Sequence, residues 1–141
     1  MIIISIAVII LLTGLGLLHF YWAFGGQKGL RKAVPEIDGT PTIDPGPVAI
    51  VFVGLALLSF SALTFLLAFY DLTSIPYGSY AVYFGWLLAA IFTLRAIGDF
   101  KLVGFFKRIK SSEFATYDTK YYSPLCLSLG LFFSLLSYTQ P

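Results

Sequence analysis

The chain has 141 residues, of which 58% are hydrophobic and only 11% charged, against about 25% charged in a water-soluble domain. That composition excludes a full polar coat, and a mean hydropathy of +0.88 moves the folding problem into lipid, where each span must satisfy its own backbone groups. A net charge of +2 is too small to point to nucleic acid, and one cysteine, Cys126, excludes an intrachain disulfide framework or a multi-cysteine metal site.

The first apolar run, residues 2–24, has no basic leader, is longer than an ordinary signal core and lacks a small-residue exit, so it reads as a retained span. It closes on GLLHFYWAFGG (16–26), which holds the only histidine of the chain. Trp22 and Ala23 lie one turn beyond His19 on the same face, and Gly16 one turn before it keeps that face open to a neighbouring helix. Either the histidine is an interfacial anchor bonded to another helix, or it exchanges protons or binds a ligand. A lone histidine cannot supply both axial ligands of a haem. Gly25-Gly26 suits a helix C-terminus.

Loop one (25–47) carries Lys28, Arg31 and Lys32, then acidic segments at 35–39 and 42–45 that are solvated or hold a cation. The prolines of DPGP (44–47) start a second span at 48–70. The turn SIPYG (74–78) is so tight that the third span, 77–97, must run antiparallel to the second. Near the end of that span Arg95 and Asp99 are spaced i, i+4 and can pair on a continuous helix, although Gly98 stands between them. Without such a role, Arg95 snorkels to water.

In loop three (98–120), Leu102, Phe105, Phe106 and Ile109 recur at helical spacing while Lys101, Lys107, Arg108 and Lys110 take the other faces. This predicts a helix over 100–110 lying in the headgroup plane, its phenylalanines inserted and its cations on anionic lipid. Phe100 and Val103 interrupt the stripe, and the alternative is an irregular loop folded over the bundle. Pro124 marks the start of a fourth helix, which needs Tyr121 and Tyr122 to reach a span of 121–138. Cys126 falls in its first turn, either as a dipole-favoured thiolate or as a buried, inert thiol.

These elements make one transmembrane domain, 1–141: an all-α four-helix bundle with an amphipathic interfacial segment in its third loop. Eight of the nine Lys and Arg lie in loops one and three, and the ninth is Arg95. Positive loops stay in the cytoplasm, so both termini face outward. The two halves share a plan of span, basic loop and proline-started span, but a match four positions wide does not establish a repeat.

His19, Arg95 and Cys126 share one depth, and Asp99 and Asp118 belong to the loop over that mouth. A polar ligand pocket of His19, Trp22, Arg95, Asp99 and Asp118 is therefore expected at the cytoplasmic end. An imidazole, an arginine and an indole suit an anionic headgroup on an apolar body; the residues indicate no particular cofactor or metal. The expected partners are membrane lipids, a second copy or another membrane protein. The rival class is a small oligomeric transporter with His19 exchanging protons. A lipid-modifying enzyme with His19 as base and Arg95 as anion clamp comes third.

The segments LHFYWAFGG (18–26), VPEIDG (34–39), PGP (45–47), RAIGDFKLVGFFKRIK (95–110) and FATYDTKYYSPLC (114–126) resemble the small bacterial membrane proteins grouped as domain of unknown function 3995. The resemblance runs from the first helix into the fourth. It implies a four-helix inner-membrane protein and no activity.

Overall fold

A run that is apolar on every side and surrounded by lipid can satisfy its peptide groups only as a helix or a closed barrel. The computed structural model, which describes residues 1–140, resolves this choice as helix. Its elements are α1 (Ile2–Ala23), a one-turn α2 (Leu30–Ala33), a hairpin of β1 (Glu36–Ile37) and β2 (Thr40–Pro41), α3 (Pro47–Phe69), α4 (Gly78–Ile97), α5 (Glu113–Tyr117) and α6 (Ser123–Tyr138). A π-turn at Asp118–Tyr122 joins α5 to α6, giving one helix of 26 residues, Glu113–Tyr138. That helix, α1, α3 and α4 are each long and apolar enough to cross a membrane. Ile10, Phe52, Leu94 and Leu131 stand exposed on them, as lipid-facing side chains should. The chain is an all-α, multi-pass membrane protein.

Small residues decide how the spans pair. α1 packs chiefly on α3, and α4 on α6. At the first crossing, a Cβ built on Gly54 would lie 3.2 Å from the Gly16 carbonyl oxygen and 3.3 Å from His19 Cβ. The backbones therefore approach closely there, in the manner of small-residue membrane packing. The Thr13 and Ser61 hydroxyls meet at 2.9 Å, and Ser61 Oγ donates to the Ile9 carbonyl at 3.2 Å. In the second pair Gly130 faces Thr93 and Ala89, and Gly85 faces Ser137.

The two hairpins share a core. Leu12, Leu67, Leu88, Phe92, Phe133 and Leu136 are among its buried members, with the Phe92 and Phe133 rings stacked at 5.9 Å. α3 and α4, though consecutive, touch less extensively than either helix touches its hairpin partner. Between the hairpins at the His19 end, the core gives way to a cleft.

The helix predicted over 100–110 does not form. Gly98 ends α4 at φ 92°, ψ −173°, and the Asp99 carboxylate accepts the N–H groups of Lys101, Leu102 and Val103 at 2.7–2.9 Å. Phe105 N–H donates back to the Ala96 carbonyl at 2.8 Å. Once these groups are satisfied in turns, no helical ladder is needed to pair them. The fourth helix also begins well before residue 121. Ser112 caps it by accepting the Ala115 N–H at 3.0 Å, and Pro124 sits inside it rather than at its start. The Ser123 N–H reaches the Asp118 carbonyl, five residues back, so the helix widens where proline supplies no donor. In loop one, Asp38-Gly39 turns the strand hairpin with φ of 49° and 78°, the paired left-handed geometry that Asp-Gly favours.

Candidate functional site

On α1, His19 Nδ1 lies 2.8 Å from the Leu15 carbonyl oxygen. A carbonyl only accepts, so Nδ1 carries a hydrogen, and in the neutral form of the ring the lone pair is on Nε2. The Trp22 ring meets the imidazole edge to face at 4.9 Å. Trp22 is buried, and its indole N–H donates to the Lys28 carbonyl at 2.9 Å, fastening loop one to the end of α1. These residues wall a cleft of about 470 Å³ between the hairpins, completed by Arg95, Lys28, Lys32, Tyr122 and a lining dominated by leucine and phenylalanine. His19 and Trp22 also wall a second cleft of about 300 Å³ under loop one.

Beneath Arg95 is a buried charge cluster. Arg95 Nη2 donates to Asp118 Oδ1 at 2.8 Å. Asp118 Oδ2 accepts from the Gly104 N–H at 2.8 Å, Lys107 Nζ at 2.9 Å and Ser123 Oγ at 3.2 Å. One carboxylate thus serves two cations, leaving one positive charge over. The two cations differ. Lys107 is buried and spends all three N–H groups, on Asp118, the Gly104 carbonyl and Thr119 Oγ1. The Arg95 side chain keeps 32% of its exposure, and its Nη1 is buried without a partner. The donor capacity left over is Arg95's.

Loops one and three meet over this mouth. Lys32 Nζ donates to the Tyr117 hydroxyl at 2.9 Å and lies 3.7 Å from Glu113. The hydrogen bond to Tyr117 holds the Lys32 ammonium above the ordinary lysine range. Tyr122 donates its hydroxyl to the Lys32 carbonyl at 3.2 Å.

Of the five residues expected to form one pocket, His19, Trp22 and Arg95 line the cleft, and Asp118 lies behind Arg95 as its counterion. Asp99 does not join them. Gly98 breaks the helix on which an i, i+4 pair with Arg95 would form, and Asp99 caps its own turn instead. Desolvation pushes the Asp99 carboxyl up, but its backbone N–H partners outweigh that and hold it below the usual carboxylate range. Lys101, Phe105, Phe106, Arg108 and Lys110 are exposed, whereas Lys107 points inward and is no surface residue. Cys126 is half-buried in the cleft wall. Among the described residues, no group of three His, Cys, Asp or Glu side chains could hold a metal ion. Lys28, Lys32 and Tyr122 also line the cleft and were not among the expected ligands. Their only local signal was the clustering of positive charge and tyrosine in the two loops.

The family model described as "Protein of unknown function (DUF3995)" matches residues 12–133. The chain belongs to this family. The match spans every residue of the larger cleft and all four membrane helices at least in part. No curated protein and no solved structure matches the chain. Family membership therefore carries the architecture but no activity.

Proposed function

We propose that this is a non-catalytic membrane protein that binds an anionic amphiphile, with the headgroup on Arg95 and the apolar body between the hairpins. The observation that carries this reading is the Arg95 guanidinium, 32% exposed in the wall of a mostly apolar cleft, with its charge only partly offset by an Asp118 that Lys107 shares. An anionic oxygen would balance the positive charge left over where one carboxylate serves two cations. Lys28 and Lys32 in the same wall add to the positive potential. The cleft volume falls within the ordinary range for ligand sites, roughly 300–1,000 Å³.

Native mass spectrometry of the protein extracted with its membrane lipids tests the reading. Wild-type protein should retain an anionic lipid, and Arg95→Gln should lose it while remaining folded, because Asp118 keeps Lys107, Gly104 and Ser123. Excess inorganic phosphate should not displace the lipid, since phosphate brings no apolar body. Displacement by phosphate would make a free anion the ligand instead. Equal retention by wild type and Arg95→Gln would remove the headgroup site. Ligand-free protein that moves protons into liposomes, with transport abolished by His19→Ala, would replace this reading with a transporter.

The basic loops orient the chain in our reading. The positive-inside rule puts the His19 end, loop 25–47 and residues 98–112 in the cytoplasm, with both termini outside a bacterial inner membrane. A periplasm-active reporter fused at the C-terminus should be active and a cytoplasm-active one silent. The reverse pattern would invert the topology and move the cleft to the outer side.

A further inference from the structure

We propose that the amphiphile's headgroup also carries a hydrogen-bond donor, such as a hydroxyl, beside its anionic group, and that His19 is the residue that reads it. This rests on the anionic-amphiphile reading of the same cleft. Three contacts hold the imidazole. Nδ1–H is committed to the Leu15 carbonyl at 2.8 Å, Trp22 packs on the ring at 4.9 Å, and Gly54 closes against its Cβ. Rotation to exchange the two nitrogens would break the first contact and disturb the second.

In the neutral form of the ring the other nitrogen, Nε2, is then an acceptor. It has no protein hydrogen-bond partner among the described residues. Among the other polar side chains of the cleft, only the Tyr122 oxygen and, weakly, the Cys126 sulfur could also accept, so the ratio measured in His19→Ala is what assigns the role to His19. Arg95, Lys28 and Lys32 only donate, the Trp22 N–H is used on Lys28, and the Tyr122 O–H is used on Lys32. A headgroup made only of anionic oxygens would present its lone pairs to the lone pair of Nε2. One that adds a hydroxyl satisfies Arg95 and His19 together. The cleft so matched takes an acceptor and a donor on one head, above an apolar tail.

The discriminating pair is phosphatidylglycerol and phosphatidylmethanol with identical acyl chains, which share a charge and differ in the hydroxyls. Purified protein in detergent is offered equal amounts of both, and the bound ratio is read by native mass spectrometry. Wild type should favour phosphatidylglycerol by roughly three- to tenfold, the return from one net hydrogen bond. His19→Ala should bring the ratio near one while Arg95 still retains both lipids. If His19→Ala fails to fold, the wild-type ratio alone decides whether the hydroxyl is read. Equal binding of the two by wild type overturns the role of His19 and leaves the Arg95 site standing. Failure of wild type to bind either lipid overturns both.

Discussion

Asp118→Ala should destabilise the fold by about 3–5 kcal/mol, the usual cost of breaking a buried ion pair from one side. The side chain is fully buried, and its oxygens accept from Arg95, Lys107, Gly104 and Ser123. Alanine would strand the Lys107 ammonium, which is almost without solvent contact. The check is thermal unfolding in a single detergent. Asp118→Ala combined with Lys107→Met should recover much of the loss, because removing both charges leaves neither unpaired. Arg95→Gln should cost far less, since solvent screens the partly exposed arm of the cluster. An Asp118→Ala protein as stable as wild type would show that the cluster does not fasten residues 98–112 to the fourth helix.

Gly98→Ala should cost about 3 kcal/mol or more. Its backbone at φ 92°, ψ −173° belongs to a region that is essentially glycine's alone, worth of order 1–3 kcal/mol of strain in any other residue. A Cβ there would also strike the backbone of Val103 and Gly104, which no side-chain rotation can relieve. Gly25→Ala is the control. Its φ is 98°, but nothing lies within 4 Å of the added carbon, so the difference between the variants isolates the collision. Beyond a lower unfolding temperature, Gly98→Ala should speed trypsin cleavage after Lys101, Arg108 and Lys110, because the loop can no longer fold back on α4. Unchanged cleavage would mean that the loop is held from elsewhere.

Four spans, the glycine end of the first and the proline start of the second, and the common depth of His19 and Arg95 were legible in the chain because they depend on local chemistry. A run of about 20 apolar residues must make its backbone hydrogen bonds internally whatever surrounds it. The Asp38-Gly39 turn was equally local, an Asp-Gly pair set between short extended segments, although in the sequence the segment reads only as loop carboxylates, solvated or holding a cation.

The partner of Arg95 was a different kind of question. Spacing favoured Asp99, but the distance between those side chains depends on a helix continuing through Gly98, and it stops there. The actual partner, Asp118, is 23 residues away and is delivered by a π-turn in another helix. Lys107 shows the same limit. In sequence it is one of four cations around an apolar stripe, and only the folding-back of its loop turns it from the surface toward Asp118. The start of the fourth helix was obscured because Pro124 ordinarily marks a helix start, and only five-residue bonding lets the helix pass through it. The sequence by itself thus determined which segments enter the membrane and the level at which its rare polar groups lie. The tertiary structure alone decided which of those groups meet, because one positive charge can be neutralised by any carboxylate the fold brings within about 3 Å, and sequence spacing measures that distance only within an unbroken helix.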